Sequence, residues 1–338
     1  MGPHPAVAAV RLAVRRALAA HPVGTPAVVA CSGGADSLAL AAALAFDSAR
    51  THRPAGLVCI DHGLQDGSAA QAERVGVLGY ELGLDPVQVI RVEVGSDGGP
   101  EAAARTARYA ALRPLREQGL VLLGHTADDQ AETVLLGLGR GSGPRSIAGM
   151  RAEQDGYLRP LLALRRSDTE AACRQLGLPA WQDPHNRDPR FRRARLRHEV
   201  LPLLEEVLAG GVTEALARTA AQLQADLDAL EQLAGQALAA ATLPDGSLSV
   251  EVAGRQPDAI LNRVLKAWAE GGGSGPLTAG HVGQLGRLVA DWRGQLGVDL
   301  PGGYRAGRAS GTLRLTAPAD DASERAGTDA GIDPPSAS

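Results

Sequence analysis

The chain has 338 residues, 44% of them hydrophobic and 21% charged, with a net charge of −4. That length suggests two domains, and that balance supports buried cores rather than a disordered polymer. It excludes a chain that is basic throughout, and no apolar run approaches the roughly 20 residues of a membrane span, so a cytoplasmic location and no membrane partner are expected.

Residues 7–20 read as an opening helix. The run Ala27-Val28-Val29-Ala30-Cys31 is short and β-branched and predicts a buried strand over 27–31. Ser32-Gly33-Gly34-Ala35-Asp36-Ser37 follows, and then an Ala/Leu-rich run that predicts a helix over 36–45. A strand, a turn with two glycines and a helix start make an anion site. The glycines let the backbone approach a ligand, and the first helical N–H groups point at it. Ser32 and Ser37 add hydroxyls, and Asp36 adds a carboxylate suited to a Mg²⁺-bound phosphate. The loop is not a Walker A motif, because no Gly-Lys-Ser/Thr exists and Lys266 is the single lysine.

Further strands are predicted at 56–60, 87–92 and 120–124, with helices at 68–82, 101–117 and 127–137. Alternating strands and helices predict an α/β fold with a doubly wound, mostly parallel sheet. Ser32–Ser37, Asp61-His62-Gly63 and His125 each follow a strand, at the edge where such sheets bind ligands. In His125–Thr133, Asp129 and Glu132 are three apart and share a helix face. Asp128, Asp129 and Glu132 suit a helix N-terminus, and they equally suit Mg²⁺ or a cationic substrate. Arg105 and Arg108 line one side of the helix over 101–117, as a solvated face or as one for phosphate or nucleic acid.

Gly139 to Gly149 reads as a mobile loop, and 167–177 as another helix. Arg187, Arg190, Arg192, Arg193, Arg195 and Arg197 crowd one span and would serve a polyanion, or form a surface helix neutralised by Glu199, Glu205 and Glu206. Residues 195–240 are helical, interrupted by Pro202 and Gly210-Gly211. A smaller, mainly helical unit follows, with helices near 257–270 and 278–291 and a terminal hairpin of Leu296–Leu300 and Thr312–Thr316. The expected divisions are a catalytic domain over 1–215, a helical and hairpin domain over 216–316, and a disordered tail over 317–338. Cys31, Cys59 and Cys173 are scattered and form no Cys-x-x-Cys, so no zinc or iron–sulfur site can be drawn.

Ser-Gly-Gly-x-Asp-Ser resembles the pyrophosphate-binding loop of the N-type ATP pyrophosphatases. SGGADS at 32–37, DHGL at 61–64, EAAARTARY at 101–109, GHTADDQAETVL at 124–135, RGSG at 140–143, RPLL at 159–162, DPHN at 183–186 and RARLRHEVLP at 193–202 stand in the order of one family within it. Together they are similar to the bacterial tRNA(Ile)-lysidine synthases. Asp299-Leu300-Pro301-Gly302-Gly303 resembles that family's first C-terminal domain, and the chain is expected to be its short form. Gln65 and Ala194 depart from the family's usual Arg and Asn.

The resemblance implies a C–N ligase. ATP would activate O2 of the wobble cytidine in the CAU-anticodon isoleucine tRNA, and the amine of L-lysine would then displace AMP, leaving lysidine. It implies ATP held by Ser32, Gly33, Gly34, Ala35, Asp36, Ser37, His62 and His125. Asp36 would take Mg²⁺, and Asp129 and Glu132 would take lysine. Asp36, Asp129, Glu132 and Arg195 would be catalytic, and Arg105, Arg108, Arg193, Arg195 and Arg197 would contact tRNA. The tRNA thiolases of the same superfamily typically need cysteines for sulfur transfer or for a metal or cluster, which the scattered thiols disfavour. A non-catalytic relative would have no need of the acidic residues. Whether two copies pair as a homodimer is left open.

Overall fold

The computed structural model describes residues 2–65, 67–95, 99–141, 143–183 and 188–318. Ser142, three residues of the DPHN motif (Pro184, His185 and Asn186), Arg187 of the arginine run and residues 319–338 of the expected tail lie outside the described residues. The chain divides into two compact units, residues 1–224 and 225–338.

The first unit is built on a six-stranded sheet ordered β3-β2-β1-β4-β6-β5. Its strands are β1 (Ala27–Ala30), β2 (Ala55–Asp61), β3 (Val87–Arg91), β4 (Leu120–Leu123), β5 (Glu153–Gln154) and β6 (Tyr157–Leu158). β1 pairs in parallel with β2 and β4, β2 with β3, and β4 with β6, while β5 is antiparallel to β6. The doubly wound sheet is as expected. β5 and β6 were not foreseen, because two residues each show no periodicity.

The helices are α1 (Pro5–Leu18), α2 (Ala35–Thr51), α3 (Ser68–Glu81), α4 (Pro100–Gln118), α5 (Ala127–Leu138), α6 (Pro144–Ile147) and α7 (Arg166–Leu176). Leu38, Leu40 and Leu44 of α2 are buried with Leu57 of β2 and Leu122 of β4. Arg53, also buried, donates to the carbonyls of Pro22 at 2.9 Å, Thr25 at 2.8 Å, His21 at 3.0 Å and Leu18 at 3.2 Å, fixing the turn into β1.

The chain order reverses between β1 and β4, so their carboxyl ends open a crevice at a topological switch point. Gly124 lets the two sides meet there. A Cβ on it would stand 3.1 Å from Ser37 Cα.

Gly139 to Gly149, expected as a mobile loop, holds a short helix. Residues 144–147 form α6, and Met150 is tied to Gln130 of α5 in both directions, at 2.7 and 2.9 Å. After α8 (Arg192–Arg195) comes one π-helical stretch, Leu196–Val200, then α9 (Leu201–Val207). Ala209, Gly210 and Gly211 all have positive φ and end it before α10 (Val212–Ala241).

The second unit holds α11 (Val250–Gly254), α12 (Asp258–Gly271) and α13 (Ala279–Ala290). Ile260, Leu261, Val264, Leu265 and Trp268 recur at helical spacing on α12 and fill a core with Leu248, Leu285, Leu288 and Leu313. An antiparallel sheet ordered β7-β10-β9-β8 completes it, from β7 (Leu248–Ser249), β8 (Val298–Asp299), β9 (Arg305–Ala309) and β10 (Thr312–Thr316). The hairpin is β9–β10, turning at Ser310-Gly311, and the expected arm at 296–300 supplies only β8 at the edge. Arg-Ala-Gly-Arg-Ala has no apolar alternation, so β9 gave no strand signal. No described helix is long and apolar enough to cross a membrane.

Candidate active site

The Ser32–Ser37 loop leaves β1 and enters α2. Gly33 has φ +85°, and a Cβ there would lie 2.7 Å from Gln71 Nε2 and 2.8 Å from Val75 Cγ2. Only glycine fits that backbone and that space. Gly34 is the N-cap of α2 with no side-chain cap, which leaves the first-turn N–H groups to a ligand. This cradle fits a phosphate group. Trp181 donates its backbone N–H to Gly33 O at 2.9 Å, pinning the 181–183 segment to the loop. Ser37 has a different part from the one expected. Its hydroxyl is buried, accepts Ser32 N–H at 3.1 Å and donates to Gly34 O at 3.0 Å, so it shapes the loop. The Ser32 side chain belongs to an exposed residue.

Facing the loop is a layered set of carboxylates and guanidinium groups. Arg166 Nε stands 3.1 Å from Asp36 Oδ2, and its Nη2 stands 2.8 Å from Asp129 Oδ1. Thr169 also donates to Asp36. Arg197 Nε donates to Glu132 Oε1 at 2.7 Å, and its Nη2 reaches Asp129 Oδ1 at 3.3 Å. Arg193 lies 3.0 Å from Glu101, 3.5 Å from Glu132 Oε2 and 3.4 Å from Thr133 Oγ1. Asp128 accepts from Arg166 N at 2.8 Å and pairs with Arg165, which also binds Glu214.

Asp129 caps its helix with one oxygen and faces arginines with the other. Its Oδ2 accepts from Thr126 N at 2.9 Å and Thr126 Oγ1 at 3.0 Å, capping α5, while its Oδ1 faces the two arginines. Burial opposes its charge, but Arg166, His125, the Thr126 N–H and Arg197 outweigh burial and hold its carboxyl below the usual range. Glu132 is wholly buried, and Oε2 has no hydrogen-bond partner. Burial pushes its carboxyl up, and the charge of Asp129 adds to that against the pull of Arg197. Burial likewise pushes Asp36 up, against Arg166 and Thr169. Two adjacent carboxylates with opposite shifts are what an amine site with a proton acceptor needs.

His62 and His125 follow β2 and β4 at the same edge, and Nδ1 of each is buried without a hydrogen-bond partner. Burial holds both imidazoles neutral, His125 down to about 4, and the charge of Arg108 reaches both. Arg105 is exposed and stacks 4.9 Å from the Tyr109 ring. The three arginines do not act together. Arg193 and Arg197, four apart, face inward, whereas Arg195 is 59% exposed and pairs with Glu199 at 2.9 Å on the outer side. Arg195, expected among the catalytic residues, is thus paired away from Asp129 and Glu132, which Arg197 reaches instead. Among the described residues no group of three or more His, Cys, Asp or Glu side chains could hold a metal. One carboxylate suffices for a Mg²⁺ carried mainly by phosphates, and Asp36 beside the cradle fits that.

Arg165, Arg166 and Thr169 escaped sequence reasoning. The signal was present, because a pair of arginines at a helix start opposes the helix dipole and calls for carboxylate partners.

Comparison with known proteins gives the family. A family model described as a PP-loop domain matches residues 13–204, and a TilS substrate binding domain matches residues 248–314. A tRNA(Ile)-lysidine synthase of Thermobifida fusca is 52% identical over 323 residues, covering 94% of this chain and 99% of its own length. Another from Streptomyces coelicolor is 49% identical, covering 93% of this chain and 99% of its own. Among solved structures, the U34-tRNA thiolase NcsA from Methanococcus maripaludis aligns with a TM-score of 0.54 at 16% identity, over 64% of this chain and 79% of that one, a likeness of fold alone.

Proposed function

This chain belongs to the tRNA(Ile)-lysidine synthase family, and we propose how its residues share that family's reaction. It is a ligase that uses ATP to modify the wobble cytidine of an isoleucine tRNA, by way of an adenylated cytidine, to give lysidine, AMP and pyrophosphate. A carbonyl-type oxygen leaves poorly and AMP leaves well, so adenylation splits one hard step into two easier ones.

In the first step cytidine O2 attacks the α-phosphorus and the bond to pyrophosphate breaks. The Gly33-Gly34 backbone and the start of α2 hold the phosphates, and neutral His62 and His125 line the nucleotide. Mg²⁺, when bound, would sit at Asp36 and neutralise phosphate charge. In the second step the lysine amine attacks C2 and the C2–O bond to AMP breaks. Asp129 stays ionised and holds the ammonium, while Glu132, whose carboxyl is pushed up and whose Oε2 has an ion pair to Arg193 but no hydrogen bond, takes the proton the amine must lose. Arg197 holds Glu132 in place, and Arg193 ties it to Glu101.

Exposed Arg195 is assigned to tRNA phosphate, with Arg105 and Arg108 as further contacts. Arg193 and Arg197 contribute to tRNA through the partly open edges of their guanidinium groups. The second unit grips the tRNA body, and the cytoplasm is the location that fits a tRNA substrate.

The Arg166 bridge carries this division. It puts the carboxylate of the phosphate loop and that of the amine site within reach of one side chain. The test is Glu132→Gln assayed by half-reaction. Adenylated tRNA should accumulate with lysine transfer lost. Unimpaired lysine transfer would remove Glu132 from the second step.

A further inference from the structure

We propose that Arg166 occupies the seat of the substrate ammonium in the ligand-free chain, and holds lysine back until nucleotide draws it away. This rests on the reading that Asp129 and Glu132 receive the ammonium. The seat is bounded by Asp36, Asp129 and Glu132. Their three negative charges face the positive charges of Arg166 and Arg197, with Arg193 divided between Glu132 and Glu101. A cation is therefore already present where the substrate would place one. It is also the member of the set that reaches the phosphate loop. Arg197 is anchored on Glu132 by its Nε, whereas Arg166 spends Nε on the loop carboxylate and Nη2 on Asp129, joining two elements that bind different substrates. Glu132 Oε2 is buried without a hydrogen bond, Arg193 standing 3.5 Å from it as an ion pair, so it still lacks a close donor.

The loop end of Arg166 explains the release. Guanidinium groups bind phosphate in a forked geometry and with high preference. A triphosphate on the Gly33-Gly34 backbone brings several negative charges to the Asp36 side, where Arg166 Nε already lies. Drawn toward it, Nη2 leaves Asp129 Oδ1, and an ammonium takes its place. Lysine then binds after nucleotide, because Arg166 drawn toward the phosphates no longer covers Asp129. Such coupling between two sites is reciprocal, and a fivefold effect is the low end of what is usual.

The experiment is calorimetric titration of L-lysine into the full chain, with and without a Mg²⁺ complex of an ATP analogue that cannot be cleaved between the α- and β-phosphates. The unaltered chain should bind lysine about fivefold or more tightly with the analogue present. Arg166→Gln should bind lysine more tightly than the unaltered chain in the absence of nucleotide, and should gain nothing further from the analogue. A merely structural arginine would give the opposite, a weaker site. Arg166→Lys, which reaches only one of the two carboxylates, should not restore the coupling.

No nucleotide dependence in the unaltered chain overturns the proposal without any variant. So does unchanged or weakened lysine binding by a folded Arg166→Gln. If Glu132→Gln leaves lysine affinity unchanged, the amine site itself is misplaced. If it weakens lysine while Arg166→Gln keeps the coupling, only the role of Arg166 fails.

Discussion

Arg197 Nε lies 2.7 Å from Glu132 Oε1, and the carboxylate it holds has no exposure to solvent. A buried ion pair adds little net stability, yet breaking one half of it is costly, because the other half stays buried and charged. Arg197→Ala should therefore lower unfolding free energy by about 3–5 kcal/mol in urea titration. Adding Glu132→Gln to it should recover part of the loss. Two additive losses would mean the residues do not form a pair.

His125 gives the chain a pH dependence with a defined sign. Its folded value is about 4, against an ordinary 6.5, because burial disfavours its charge. As pH falls, the unfolded chain takes up the proton first. The stabilisation is complete above about 6.5 and is lost as pH falls to about 4. His62, also lowered by burial and by Arg108, acts in the same direction. Thermal melting between pH 7 and pH 4 should fall more steeply in the unaltered chain than in His125→Gln. Equal slopes would contradict the buried neutral imidazole.

Gly33→Ala tests the phosphate cradle. The substitution meets a φ of +85° and two side chains under 3 Å away, on Gln71 and Val75. ATP affinity should fall at least tenfold, about 1.4 kcal/mol, while circular dichroism shows the fold intact. Unchanged ATP binding would place the nucleotide elsewhere.

Arg195 distinguishes a tRNA contact from a surface ion pair. If it neutralises one phosphate, Arg195→Ala should weaken tRNA binding most at low salt and make the plot of log affinity against log salt shallower by roughly 0.7–0.9. An unchanged slope would leave Arg195 as the partner of Glu199 alone.

The strands and helices of the first unit were legible mainly where they bury a periodic or continuous apolar run, and two-residue β5 was not. Leu38, Leu40 and Leu44 marked α2, and Val28 and Val29 marked β1. β9 was hidden because Arg305–Ala309 owes its place to pairing with β10 and not to its own pattern. The site was legible where the backbone demanded a residue type, as at Gly33. Asp129 was visible as a cap or as a ligand; its Oδ2 caps α5 and its Oδ1 faces Arg166. Arg166 stood out only as an arginine at a helix start; its partners, Asp36 and Asp129, lie 130 and 37 positions away and were not legible. The arginine run was legible as basic but not as two-faced, since composition does not say that Arg193 and Arg197 point inward.

The central claim is that one crevice adenylates a cytidine and then passes it to an amine. The most direct measurement is incorporation of labelled L-lysine into CAU-anticodon isoleucine tRNA by this chain with ATP and Mg²⁺. The account predicts label at the wobble cytidine, with one AMP and one pyrophosphate released per lysine. ATP cleavage with no lysine joined, or transfer of sulfur to the tRNA instead, would contradict it.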